Sequence, residues 1–191
     1  MSTIVVVRKN GIAAIGADTL TKIGYTRQSA KYVTNSSKII QVGQTYIAIT
    51  GSGCGPLILE RFFSQLEAQP QFDSLQAIYE TARLLHIALK GDFFLNPNEG
   101  TDAAFESSQF QYQIANSHGI FGVYSQRAVE EYSRFDGSGS GADIALGAMH
   151  AVYDSDLTAE EIARAGLMAA AEFDDSTGEP IEIKTIKLKP K

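Results

Sequence analysis

The opening segment of the chain is the feature that most restricts its fold. Thr3 to Val7 is an unbroken run dominated by β-branched residues, Lys9-Asn10-Gly11 has the composition of a tight turn, and Ile12 to Asp18 is a second apolar stretch. A strand with one exposed face alternates apolar and polar residues, whereas a continuous apolar strand needs cover on both faces. The segment therefore predicts a β-hairpin that is buried on both sides.

The other predicted elements occur in groups. They are a second hairpin, two helices, a series of short strands, a glycine-rich joint, two more helices and a final strand. Their segments are Lys38 to Val42 with Thr45 to Thr50, Pro56 to Leu66, Ser74 to Gly91, Thr101 to Phe135, Gly137 to Gly141, Ala142 to Tyr153, Thr158 to Phe173, and Ile181 to Leu188. This grouping predicts one compact α+β domain over residues 1–191, with either two packed sheets or one sheet between helical layers, and not a series of βαβ units.

Three of the helices carry recognisable end signals. Pro56 suits a first helical turn, Ser74 is a candidate N-cap for the second helix, and Gly91 is a candidate C′ residue. Thr158 and Glu161 have the spacing of a capping box at the start of the fourth helix. The apolar stripe predicted for that helix consists of Ile162, Ala165, Ala169 and Phe173.

Composition excludes several classes of protein. The chain has 191 residues, 44% of them hydrophobic and 20% charged, as expected for a folded globular domain. Its net charge of −6 argues against binding to nucleic acid, and Cys54, its single cysteine, leaves no disulfide or cysteine-rich zinc site. No apolar run is long enough to cross a membrane, and no signal peptide is apparent, so we expect a cytoplasmic protein.

Common catalytic motifs do not fit the sequence. Neither glycine cluster, Gly51 to Gly53 or Gly137 to Gly141, has the spacing of a nucleophile elbow, a dinucleotide-binding loop or a P-loop. The histidines, His86, His118 and His150, are far apart and lack the spacing of metal ligands. We therefore expect neither a metal nor a cofactor.

Three groups of motifs together resemble a known family. The first comprises Met1 to Gly11 and Gly16-Ala17-Asp18, the second runs from Gly139 to Gly147, and the third from Ala169 to Gly178. In order and approximate spacing they resemble proteasome β-subunits and the bacterial peptidase HslV over nearly the whole chain. The resemblance is greatest to the betaproteobacterial proteasome homologues, and it implies the four-layer αββα sandwich of N-terminal-nucleophile hydrolases.

The resemblance also implies a set of catalytic residues. Ser2, exposed as the N-terminal residue after removal of Met1, takes the place of the family's catalytic threonine. Asp18 and Lys38 are its charged neighbours, and the Gly51 backbone N–H is the oxyanion donor. The residues that support the N-terminus are Ser140, Asp174 and Thr177.

This arrangement has a clear chemical purpose. A serine hydroxyl is a weak nucleophile, but an α-amine with a pKa of about 7.7 to 8.0 can accept its proton near neutral pH. A neighbouring lysine ammonium lowers the pKa of that amine, and an aspartate holds the lysine in place. Alternatives remain: Asp18 as a simple strand end, Lys31 instead of Lys38, and Ser140 as a helix N-cap.

The sequence departs from the family pattern at two points. The stretch from Thr19 to Ser37 has little regular periodicity and is longer than usual, so we expect a loop that projects toward a central pore and filters substrates. Serine in place of threonine lacks the γ-methyl group, so its hydroxyl is less restricted in χ1. The resemblance places the pocket for the substrate side chain at Thr21, Lys22, Ile49 and Gly53, with room for an apolar group.

The resemblance further implies a homo-oligomeric double ring of twelve or fourteen subunits, with helical faces buried between the rings. Its substrates would be peptides or unfolded proteins, and a ring-shaped ATPase unfoldase is a possible partner. Two alternatives belong to other functional classes. One is a catalytically inactive ring that acts as a scaffold or binding chamber, and the other is a small-molecule amidase with the same type of nucleophile.

Overall fold

The structure, a computed structural model, describes residues 2–97 and 104–190. Its strands are β1 (Thr3–Lys9), β2 (Ile12–Asp18), β3 (Thr21–Ile23), β4 (Thr26–Gln28), β5 (Ile39–Val42), β6 (Thr45–Gly51), β7 (Phe110–Ala115), β8 (Ile120–Val123), β9 (Val129–Tyr132), β10 (Phe135–Gly139) and β11 (Ile181–Lys187). Its helices are α1 (Gly55–Gln65), α2 (Leu75–Gly91), α3 (Ala142–Val152) and α4 (Ala159–Phe173). No helix in the described part of the chain is long and apolar enough to cross a membrane.

The strands form two main antiparallel sheets. One has four strands in the order β10-β1-β2-β11, and the other has five in the order β5-β6-β7-β8-β9. Strands β3 and β4 form a separate hairpin. The chain therefore crosses between the two large sheets after β2 and again between β9 and β10.

Three apolar clusters hold these sheets between two helical layers. One joins α1 and α2 to the five-stranded sheet, a second joins α3 and α4 to the four-stranded sheet, and the third lies between the sheets. The layer order is helices, sheet, sheet, helices, which confirms the predicted four-layer αββα sandwich of the α+β class.

The opening hairpin lies at the centre of the sandwich, as predicted. Val5 and Val7 pack in the cluster with α3 and α4, whereas Ile4 and Val6 pack between the sheets. All four side chains are completely buried. The hairpin turn uses Asn10 and Gly11 at φ 49° and 74°, the left-handed conformation that a two-residue type I′ turn requires.

Most of the predicted helix starts are confirmed. Ser74 caps α2 by accepting a hydrogen bond from the Ala77 N–H, and Thr158 and Glu161 form a reciprocal capping box on α4. Gly91 is still helical, so its prediction as the C′ residue of α2 is wrong, and Asp92 is the C-cap.

The predicted apolar stripe of α4 is also partly wrong. Phe173 is 77% exposed, and of the predicted residues only Ile162 is fully buried. The buried face consists of Ala159, Ile162, Ala163, Gly166, Leu167 and Ala170. Small residues dominate this face because α3 and α4 pack closely: a Cβ on Gly166 would lie 2.7 Å from the Met149 side chain of α3.

Two further segments differ from their predictions. The predicted loop from Thr19 to Ser37 contains the β3–β4 hairpin, and the predicted glycine-rich joint is largely strand, because Gly137 to Gly139 belong to β10. The beginning of the predicted strand segment at Thr101, and the prediction that Met1 is removed, lie outside the described residues.

Candidate active site

Asp18 is the centre of a buried polar network at the end of β2. Its side chain is completely buried. One carboxylate oxygen, Oδ1, accepts hydrogen bonds from the Thr3 N–H at 3.0 Å and from Lys38 Nζ at 2.7 Å. The other, Oδ2, accepts from the N–H groups of Leu20 at 3.0 Å and Gly178 at 3.2 Å. These four donors satisfy a carboxylate that would otherwise be costly to bury.

Lys38 lies just before β5 and is mostly shielded from solvent. Besides contacting Asp18, its ammonium group donates a hydrogen bond to the Leu20 carbonyl at 2.9 Å. Burial holds the pKa of Lys38 below its usual value, although the Asp18 carboxylate acts in the opposite direction. The alternative lysine, Lys31, has its ammonium group 5.6 Å from the centre of the Tyr32 ring, so Lys38 is the lysine that contacts Asp18.

Ser2 directly precedes β1 and is held by its backbone. Its carbonyl oxygen accepts hydrogen bonds from the Ser140 N–H at 3.0 Å and from Thr50 Oγ1 at 3.2 Å. Gly139 allows this contact, because a Cβ at that position would lie 1.7 Å from the same carbonyl oxygen, and its φ is 106°. The residue is 92% shielded, with 8% of its surface exposed.

A second network runs beside Ser2 through side-chain hydroxyl groups. Thr177 Oγ1 and Ser140 Oγ both donate to Asp174 Oδ2 at 2.6 Å. Thr3 Oγ1 lies 2.6 Å from Thr177 Oγ1 and accepts a hydrogen bond from the Gly141 N–H at 3.0 Å. Since the Thr177 proton is directed to Asp174, Thr3 must donate to Thr177. Each hydroxyl therefore has a defined orientation, and all of them lead to one carboxylate.

Gly51 is the last residue of β6 and separates two cavities. Its φ of 120° is a conformation that favours glycine, and a Cβ there would come within 3.0 Å of Gln109 and Phe110. Gly51 and Thr50 line both cavities. Their shared border lies beside Ser2, which lines the smaller cavity.

The smaller cavity, of about 230 Å³, brings together the residues predicted for the substrate pocket. The four predicted residues that line it are Thr21, Lys22, Ile49 and Gly53. Ser2 and Lys38 line it as well. The larger cavity, of about 540 Å³, is lined on one side by Gly137 to Ser140 and on the other by Gln109 to Gln111.

The sequence did not single out several residues of this site. Thr3 and Thr50 looked like ordinary β-branched strand residues, and Gly139 and Gly141 were assigned to a glycine-rich joint and to a family motif without a role of their own. The network uses their hydroxyl groups and their lack of a side chain, which become informative only once β1, β6 and β10 are placed together. The signal in the sequence that could have located this contact is Gly139-Ser140-Gly141. In the structure Gly139, in β10, pairs with Thr3, the residue after Ser2.

Outside this site, one histidine takes part in a partly buried polar cluster. His86 Nδ1 lies 2.9 Å from Ser108 Oγ, and its Nε2 lies 3.1 Å from Glu106, which also pairs with Lys90. Ser108 is 6% exposed, so this cluster holds α2 against the segment before β7 and offers no accessible hydroxyl group. Among residues 2–97 and 104–190, no group of three or more acidic, histidine or cysteine side chains could hold a metal ion.

The sandwich and the position of Ser2 at the start of its central strand define the structural class of N-terminal-nucleophile hydrolases. No family model matches the chain. Two curated proteins are similar to it: the ATP-dependent protease subunit HslV of Caulobacter sp. (strain K31), 29% identical over 181 residues, and a proteasome subunit beta of Nanoarchaeum equitans (strain Kin4-M), 27% identical over 199 aligned positions. The first alignment covers 90% of this chain and 87% of HslV, and the second covers 99% and 94%.

Solved structures give a stronger relationship. BPH of Thiobacillus denitrificans superimposes with a TM-score of 0.94 at 47% identity, over 99% of this chain and 100% of that one. The same protein in complex with epoxomicin gives a TM-score of 0.93 over 98% and 100% of the two chains, also at 47% identity. HslV of Trypanosoma brucei, at 20% identity, shares the fold with a TM-score of 0.73 over 97% and 99% of the two chains.

The chain belongs to the proteasome β-subunit and HslV family, and BPH of a Thiobacillus species fits the predicted betaproteobacterial subgroup. The predicted family is therefore confirmed. Its members include proteases of the N-terminal-nucleophile type, so the chain is related to proteasome-type peptidases along its whole length.

Proposed function

We propose that this protein is a self-compartmentalising endopeptidase whose nucleophile is Ser2, exposed as the N-terminal residue after removal of Met1. The observation that carries the proposal is the position of Ser2. Two hydrogen bonds hold its carbonyl oxygen. Ser2 and Lys38 both line the smaller cavity. A residue that is fixed in this way beside an open cavity is suited to attack a bound substrate.

The proposed reaction begins with attack of Ser2 Oγ on the carbonyl carbon of the scissile peptide bond. The α-amine of Ser2 accepts the hydroxyl proton and then delivers a proton to the leaving amine, which leaves an ester between Ser2 and the substrate. Water, activated by the same amine, hydrolyses the ester and regenerates the hydroxyl group. The Gly51 N–H is the proposed donor to the oxyanion that forms in each step.

The two polar networks have separate proposed roles. Lys38, held by Asp18, is close enough to Ser2 to share its cavity, and its positive charge favours the neutral form of the α-amine. Asp174, with Ser140 and Thr177, supports the backbone around the N-terminus and orients the protons near the amine. Asp18, Ser140, Asp174 and Thr177 are thus positioning residues in this proposal.

The two cavities suggest the path of the substrate. An extended peptide that crosses Gly51 would place the residues before the scissile bond in the smaller cavity and those after it in the larger cavity. We propose Thr21, Lys22, Ile49 and Gly53 as walls for the residue just before the bond. Peptides and unfolded polypeptides are the substrate class, because a cleft of this shape admits an extended chain.

We also propose that the active assembly is a cytoplasmic double ring of twelve or fourteen chains, with Ser2 facing the interior. Family members form ring oligomers and work with ATPase partners, so an ATPase unfoldase is the proposed partner. The ring would restrict access to substrates that can enter its chamber, and the β3–β4 hairpin is a candidate for part of the entrance.

The test is the intact mass of the purified protein before and after incubation with epoxomicin, the compound bound in the Thiobacillus structure. As a peptide epoxyketone, it forms its ring adduct only with a hydroxyl group and a free neighbouring amine. We expect loss of Met1 and a gain of one inhibitor mass. Ser2→Ala should give no adduct and no peptide turnover, and Ser2→Thr should keep or raise turnover.

The other outcomes separate the alternatives. Retained Met1 without an adduct would support the catalytically inactive ring. An adduct on a monomer or dimer that hydrolyses only small amides would support the amidase. Turnover by purified Ser2→Ala would contradict the assignment of the nucleophile.

A further inference from the structure

Gly51, the proposed oxyanion donor, rests on the first residue of β7 and the residue before it. A Cβ at Gly51 would lie 3.0 Å from the Gln109 carbonyl oxygen and 3.0 Å from the Phe110 Cα. In the five-stranded sheet Gly51 pairs with Phe110. The backbone that begins β7 therefore sets the position of the Gly51 peptide.

The Gly51 N–H points away from β7. Two residues earlier, the Ile49 N–H donates to the Lys38 carbonyl at 3.0 Å, on the β5 side of β6. N–H groups two residues apart in an antiparallel strand point to the same side. The start of β7 thus supports the Gly51 peptide from behind, and the N–H group is directed to the side on which Lys38 lies.

The segment that leads into β7 is irregular and is held by hydrogen bonds. Gln109 has a φ of 62°, in the left-handed region that residues with a side chain seldom adopt. Its N–H donates to Ser107 Oγ at 3.0 Å, and the Ser108 N–H donates to the Ser125 carbonyl at 2.7 Å. Both serines, Ser107 and Ser108, are buried. The conformation next to Gly51 therefore depends on contacts made by the residues just before it.

His86 ties this segment to α2. Its Nδ1 lies 2.9 Å from Ser108 Oγ, and its Nε2 lies 3.1 Å from the Glu106 carboxylate. A carboxylate only accepts hydrogen bonds, so Nε2 carries a hydrogen and the ring has one orientation. Lys90, one turn further along α2, donates to both carboxylate oxygens of Glu106 at 2.7 Å. One helix thus holds the segment at two residues, directly before the two that support Gly51.

We propose that His86 is a positioning residue for the oxyanion donor: its contact with Ser108 fixes the start of β7, which in turn fixes the Gly51 peptide. This inference rests on the proposed function, in which the Gly51 N–H stabilises the oxyanion. His86 lines neither cavity, so it acts through the backbone and not on the substrate. A displaced donor weakens stabilisation of the transition state more than it weakens substrate binding.

Two substitutions of His86 separate its two contacts. The amide group of asparagine lies about as far from the backbone as Nδ1, so His86→Asn can still bond to Ser108. The amide group of glutamine reaches about as far as Nε2, so His86→Gln can bond to Glu106 but loses Ser108. We expect His86→Gln to lower kcat about tenfold with KM within about twofold of wild type. His86→Asn should restore most of the wild-type kcat.

Thr81 provides the matched control on the same helix. Like His86 it is 8% exposed, and its hydroxyl donates to the Ala77 carbonyl within α2 at 3.0 Å. Thr81→Ala therefore removes a buried polar group from α2 without touching the segment before β7. Its kcat should stay near the wild-type value, and circular dichroism should show that every variant is folded.

Ser108→Ala removes the same contact from the other side and keeps α2 intact. It should lower kcat by about the same factor as His86→Gln, and the double variant should be no worse than either single one, because both changes break one interaction. Ser108→Ala also carries the test if the His86 variants do not fold.

Epoxomicin labelling of wild type distinguishes the two levels of failure. If wild type forms the adduct and turns over peptide, but folded His86→Gln and Ser108→Ala keep the wild-type kcat, the positioning proposal is wrong and the proposed function stands. A loss that appears in KM alone, or an equal loss in Thr81→Ala, would also overturn it. If wild type gives neither adduct nor turnover, the proposed function fails and the positioning proposal fails with it.

Discussion

Two opposing influences act on the charge of Lys38. Burial favours the neutral amine, and the contact with Asp18 favours the ammonium form; burial is the larger of the two. A lysine whose pKa lies below its ordinary value of about 10.4 loses its proton within the alkaline range that enzyme assays can reach. The proposed mechanism needs the ammonium form, because its charge lowers the pKa of the α-amine of Ser2.

We therefore predict a bell-shaped dependence of kcat/KM on pH. Activity should rise as the α-amine loses its proton, at or below about pH 8, and fall as Lys38 loses its proton, below about pH 10.4. In Lys38→Arg the guanidinium stays charged, so any activity that remains should lack the alkaline decrease. The measurement is kcat/KM for a peptide with Leu before the cleaved bond, from pH 5.5 to 10.5.

Stability must be monitored in the same pH series. Circular dichroism at each pH would show whether a loss of activity is a loss of folding. An alkaline decrease of equal position in folded wild type and folded Lys38→Arg would mean that another group causes it.

At the residue scale, the sequence predicted those site residues that lie in recognisable motifs. Asp18 and Lys38 were expected as a pair, and the structure places their side chains 2.7 Å apart. Thr50 could not be identified, because its hydroxyl matters only through the carbonyl oxygen of Ser2, 48 positions away in the sequence. Contacts of that range depend on the pairing of whole strands, which local composition does not encode.

At the scale of elements, α4 connects a capping box to the candidate active site. Thr158 and Glu161 fix its first turn, and Asp174, its C-cap residue, accepts the hydroxyl protons of the second network. The helix is held against β1, β2 and α3 by a face of small residues. Its two ends thus serve different purposes, stability at the start and positioning at the end.

We predict that Thr158→Ala lowers the free energy of unfolding by about 1 kcal/mol. The Thr158 hydroxyl accepts a hydrogen bond from the Glu161 N–H at 3.2 Å and donates one to the Glu161 carboxylate at 2.8 Å, and alanine loses both. Ser74→Ala at the start of α2 is the matched comparison. The Ser74 hydroxyl accepts from the Ala77 N–H at 3.3 Å and donates to Asp73 at 3.2 Å, and each bond is longer than its counterpart at Thr158, so a smaller loss is expected. Urea unfolding at one fixed protein concentration measures both.

Epoxomicin labelling adds a check on this prediction. Thr158→Ala should keep full labelling at temperatures where it is folded, because its cap does not touch the cavity. A loss of stability below about 0.3 kcal/mol, or one smaller than that of Ser74→Ala, would contradict the role of the capping box.

Local signals predicted the start of α4 but not the direction of its buried face. The predicted stripe included Phe173, the largest apolar side chain available, whereas the structure buries Gly166 and Ala170. The close approach of α3 decides between these faces, because only small side chains fit there. The β3–β4 hairpin was missed for a similar reason. Its strands have three residues each, and contacts with the distant Asp175 and Thr177 hold it.

At the scale of the whole molecule, the order of strands and helices along the chain predicted one of two layered architectures: two packed sheets, or one sheet between helical layers. The family resemblance selected the αββα arrangement, and the three apolar clusters confirm it. Both outer helical layers also expose apolar side chains. Tyr79, Leu84 and Ile87 are 43%, 46% and 56% exposed on α2, and Met168 and Phe173 are 40% and 77% exposed on α4. These side chains are therefore candidates for contact with other chains in the proposed ring.

The two helical layers lie on opposite faces of the sandwich, so only one of them can face the second ring of a double ring. We therefore predict that wild type has twelve or fourteen times the mass of one chain, and that a charge on one helical layer splits it into single rings of half that mass. Ile87→Glu tests the α1–α2 layer, and Met168→Glu tests the α3–α4 layer. Native mass spectrometry measures all three proteins, and one variant should keep the full mass while the other gives the half-mass ring.

A monomeric wild type would contradict the ring. If both variants keep the full mass, the burial of a helical layer between rings would be contradicted. Monomers from both variants would instead mean that the helices form contacts within a ring, against the prediction.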